Sequence, residues 1–190
     1  MALARFKSSA DHGFSLVEVL IATGILATAL VTLAQLFAIA TRSNYNARNV
    51  NYATVLAEQK LEELRALSWG YDSDGLPTSD ITSNTADDTP DGGTGLSPSP
   101  ASALQENTDG FVDYVDQFGR KLGGGTTPPE GALYTRRWSI SPLPTNPNNT
   151  LILQVLVTPN RDRGAAADAG TVMRLPEEAR LVTVKTRKAQ

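Results

Sequence analysis

Few residues of this chain are equipped for chemistry. Its 190 residues include no cysteine and one histidine, His12, so disulfides, thiolate metal sites and a cysteine nucleophile are excluded. His12 stands immediately before Gly13, and beyond that glycine no imidazole remains for acid–base work or metal ligation. Serines, lysines and carboxylates remain without a recognisable nucleophile–base motif. No catalytic residue, no cofactor and no enzymatic activity are therefore expected. One ionisable group does stand out. Glu18 lies five residues after Gly13, in the run FSLVEVLIATGILATALVTLAQLFAIA, where it and Gln35 are the only strongly polar side chains. A charge central to a bilayer-spanning helix costs about 2.5–3.5 kcal/mol on insertion scales, so such a residue is a functional candidate by default.

The element that must position Glu18 is the apolar run itself. Residues 14–40, at about 1.5 Å per residue, reach some 40 Å as a helix and exceed a hydrocarbon core of about 30 Å. A secretory signal peptide differs, because its apolar part is usually about 7–15 residues and ends in a small-residue cleavage site. The run is preceded by the short polar segment MALARFKSSADHG, which carries Arg5 and Lys7. Those charges favour a cytoplasmic leader, although Arg42 and Arg48 flank the other end.

Beyond the span, Val50, Ala53, Ala57, Leu61 and Leu64 recur at three- and four-residue intervals. That pattern predicts an amphipathic continuation of the same helix over residues 41–70. No proline precedes Pro77, and Gly24 is the only glycine between Phe14 and Trp69. One helix over about 14–67 is expected, with Ser68-Trp69-Gly70 as its stop. Residues 71–110, rich in Asp, Ser, Thr, Gly and Pro, predict a long flexible acidic loop. Residues 111–190 predict a small antiparallel sheet with strands near 132–141, 151–158 and 180–186, and a weaker one near 111–117. The fold class is then α+β, with the exported part of the helix laying its apolar stripe on one sheet face.

The charges are segregated. Ten acidic and no basic residues lie from Asp72 to Asp116, whereas eleven Lys/Arg and five Asp/Glu follow from Arg120 onward. This suggests internal attraction or complementary faces between copies, and no nucleic-acid partner is assigned. Asp72 and Asp74 invite a calcium reading, but Leu76 stands where a third oxygen ligand belongs, so a solvated acidic loop is expected. In an alternating strand Arg136 and Arg137 point to opposite faces, and one of them is expected to pair with the acidic loop. Trp69 and Trp138 are read as packing residues rather than ligand platforms.

The polar leader, Gly13, Phe14, Glu18 and the long apolar run together closely resemble the signal of type IV prepilins. The resemblance implies that a prepilin peptidase cuts after Gly13 and methylates the new N-terminal residue, Phe14. It also implies that Glu18 is the fifth residue of the mature subunit, where the Phe14 amine of an adjacent copy can neutralise it in a filament. The implied partners are other pilin or pseudopilin subunits, the peptidase, an inner-membrane assembly platform and, before assembly, the lipid bilayer. The implied location is the bacterial inner membrane, with a single span and the C-terminal domain outside the cytoplasm, and then the filament. ATVLAEQKLEELRAL, YTRRWSISPL and RLVTVKTRK resemble minor pilins of the PilV kind and minor pseudopilins of the type II secretion I class. The apolar run lacks the helix-bending proline of many major pilins, and the chain lacks their C-terminal cysteine pair. Both departures point to a minor subunit.

Overall fold

A computed structural model describes residues 13–69, 84–87, 95–160 and 178–187. The chain divides into two compact units, Met1–Tyr45 and Asn46–Gln190. Helix α1, Leu16–Ala66, runs without interruption through the boundary. Five strands follow: β1 (Val112–Val115), β2 (Lys121–Gly124), β3 (Tyr134–Pro142), β4 (Thr150–Pro159) and β5 (Ala179–Thr186). They form one antiparallel sheet in the order β2-β1-β3-β4-β5. The architecture is the expected α+β, pilin-like arrangement of a long N-terminal helix and a small sheet.

In the first unit every residue of the span is exposed, and the helix is long and apolar enough to cross a membrane. Its backbone bonds close within the helix, as a lipid environment requires. The threonine hydroxyls are also satisfied internally. Thr23 donates to the carbonyls of Val19 and Leu20, Thr28 to those of Gly24 and Ile25, and Thr32 to that of Thr28.

In the second unit the last turns of α1 lie on the sheet. Ala53, Leu56, Ala57, Leu61 and Leu64 meet Trp138, Ile140, Leu153, Val155 and Val157 in one buried core. The strands alternate accordingly. Trp138 is paired with Val155 and Val155 with Leu181, all facing the helix. The last strand also caps the helix, because Lys185 Nζ donates to the carbonyl of Arg65 at 2.6 Å and to that of Leu67. Those carbonyls have no intrahelical donor, and a cation suits the negative end of the helix dipole.

The buried helix stripe contains one charge that periodicity did not mark. Lys60 is 1% exposed, between Leu56 and Leu64, and its ammonium lies 4.1 Å from the centre of the Trp138 ring. It donates to the Thr85 carbonyl at 2.6 Å, pairs with Glu63 at 3.1 Å and stands 3.6 Å from Asp113 Oδ2. Asp113 is fully buried and receives both arms of Arg136, at 2.7 and 2.8 Å, with Lys121 Nζ at 3.7 Å. Burial pushes the Lys60 amine below the ordinary lysine value, and Lys121 adds to that effect, while Asp113 and Glu63 oppose it.

Two further features depart from the expected pattern. Strand β2 has no alternating apolar residues and forms because the β1–β2 turn brings it alongside β1. Asp116 accepts from the amides of Phe118 at 2.7 Å and Arg120 at 2.9 Å, and Gly119 takes φ of +80°. The expected loop over 71–110 is described at 84–87 and 95–110, and there it is built into the fold. Leu96 and Ala103 are buried, the Leu96 amide donates to the Ser68 carbonyl, and the Ser99 amide donates to that of Ile140. The serine, threonine and asparagine side chains that read as loop solvation instead bond to the sheet and its turns. Thr85 Oγ1 accepts from Trp138 Nε1 at 2.6 Å and donates to the Gly110 carbonyl at 2.7 Å.

Candidate processing and assembly site

The site begins where the helix begins. Gly13, Phe14 and Ser15 precede α1 in non-helical backbone, and the Val19 amide donates to the Ser15 carbonyl at 3.2 Å. Ser15 thus occupies the position that opens the first helical turn. Gly13 is exposed, and a side chain added there would meet nothing within 4 Å. Among the described residues nothing crowds the backbone at Gly13. Phe14 is 82% exposed. Its ring makes no internal core, so its apolar area is available to lipid or to another helix.

Glu18 lies in the first turn of α1, where a carboxylate is favoured by the positive end of the helix dipole. Its own helix satisfies part of the cost of placing it in an apolar run. Leu16, Val17, Val19, Leu20 and Ile21 surround it with apolar surface between 50% and 81% exposed. No basic side chain stands from Gly13 to Thr41, so this stretch of helix offers the carboxylate no cationic partner of its own.

Residues 8–34 match the prokaryotic N-terminal methylation motif. This is the prepilin-type signal of type IV pilins and pseudopilins. The matched stretch contains Gly13, Phe14, Glu18 and more than three quarters of the apolar run. A prepilin signal implies processing by prepilin peptidase and assembly with other pilin subunits. It also indicates a filament subunit rather than an enzyme, and with the one such apolar helix among the described residues it fits anchorage in the inner membrane. No curated protein and no solved structure matches the chain.

The other sequence candidates separate. The leader up to His12, and Asp72 and Asp74, lie outside the described residues. Among the described residues no cluster of three or more His, Asp or Glu side chains could hold a metal ion. Trp138 is fully buried under Lys60 and hydrogen-bonded through its indole to Thr85, so it offers no face to a ligand. Trp69 packs against the core. Arg136 and Arg137 do point to opposite faces, and one of them, Arg137, meets the acidic segment as expected. Arg136 pairs with Asp113 of β1, and Arg137 donates through Nε and Nη2 to the Asn107 amide oxygen at 2.9 Å each. A neutral asparagine of the acidic segment, not a carboxylate, holds Arg137.

Sequence reasoning missed Lys60 and Asp113. A signal was present: Lys60 stands four residues from both Leu56 and Leu64, and Asp113 sits between Val112 and Tyr114 in a short apolar strand. A charge on an otherwise apolar stripe, matched by an opposite charge in an apolar strand, marks a buried pair.

Proposed function

We propose that this chain is the precursor of a minor type IV pilin, cut after Gly13, methylated on Phe14, and assembled through Glu18. The observation that carries the reading is the prepilin signal over residues 8–34, continuous with an exposed apolar helix. Cleavage would turn Phe14 into the N-terminus, one helical turn from Glu18. In a filament, where the apolar helices pack together away from water, the Phe14 amine of a neighbouring copy neutralises the Glu18 carboxylate. The low dielectric strengthens that pair and makes an unpaired Glu18 costly, so the pair sets the register of each incoming subunit. Before assembly the same helix holds the subunit in the bilayer, with the sheet domain outside the cytoplasm, where the inner-membrane assembly platform collects it.

The missing proline in the apolar run and the missing cysteines favour a minor subunit that primes assembly or modifies the tip. A minor pseudopilin of a type II secretion system is the second reading, supported by the resemblance of ATVLAEQKLEELRAL and RLVTVKTRK to that group. The test is Glu18→Ala in the native host. The variant is expected in the membrane fraction, processed, and absent from sheared filaments. Normal incorporation would overturn the role given to Glu18. Gly13→Val meets no steric obstacle among the described residues, so failure of the variant to mature would report on the peptidase and not on folding.

A further inference from the structure

We draw no further inference here: the strongest candidate, the outer face of β4 and β5 on which exposed Val182 and Val184 stand in register with Gln154 and Ile152, is an apolar sheet face, and nothing in the structure shows what covers it.

Discussion

Arg136 holds both carboxylate oxygens of Asp113, at 2.7 and 2.8 Å, in a position closed to solvent. Around this pair Lys60 ties α1 to the sheet, and Lys121 brings in β2. Fully desolvated charges add stability only when each has its partners, so the cluster is better suited to fixing how the helix sits on the sheet than to adding net stability. Asp113→Asn leaves three cations around a neutral amide. The loss should be about 3–5 kcal/mol, read by urea unfolding of the detergent-solubilised chain. A loss below about 1 kcal/mol, the range of exposed pairs, would show that water reaches the cluster.

Lys60 gives a pH dependence with a definite sign. Burial lowers its folded pKa below the unfolded value of 10.5, so the unfolded chain holds more protons in the alkaline window. The penalty for burying the ammonium is complete below the folded pKa and is relieved as pH climbs from there towards the unfolded value. The stability of the native chain relative to Lys60→Met should therefore rise with pH across that window. Tyr52, raised by burial and by Asp116, and Lys185, lowered by burial and by Arg65, titrate in both chains and cancel. A flat difference would mean that Lys60 carries no net shift.

How much of this was legible in the sequence depends on the scale of the signal. The span and its continuation were, because apolar residues repeat over many turns, and α1 ends at Ala66, within a residue of the expected helix end at about 67. β3, β4 and β5 were also, because turn-rich joints bound three extended stretches, of which β5 alternates along its whole length. β2 was not: KLGG carries no periodicity, and the strand exists only as the return arm of the Asp116–Gly119 turn. Order in 95–110 was equally hidden, because its polar side chains bond to groups far away in the chain. At the candidate site, the prepilin signal over residues 8–34 was legible as a local pattern, whereas the Lys60–Asp113 contact joins residues on different elements.

Strand β2 supplies a sharp packing test. A methyl group on Gly124 would lie 2.9 Å from Ala86 Cβ and 2.9 Å from the Val112 carbonyl oxygen. Backbone on one side and an anchored segment on the other leave little room to give. Gly124→Ala should cost about 1–3 kcal/mol, and thermal unfolding would show it. An unchanged midpoint would mean that residues 84–87 move aside.

The cap on α1 predicts a local effect. Lys185→Met removes the donor to the Arg65 and Leu67 carbonyls and should lower stability by about 1 kcal/mol. Hydrogen exchange should quicken in the last turn of α1, around Leu64 to Ala66, with little change at β4. Equal acceleration throughout the sheet would argue against a local cap.

The central claim concerns Gly13 and Phe14, and intact-mass and N-terminal peptide spectrometry of the chain purified from its native membranes tests it most directly. The expected mature chain begins at Phe14 with one methyl group on its amine and lacks the leader. A chain that still begins at Met1, or one that is cut within or after the apolar run, would contradict it.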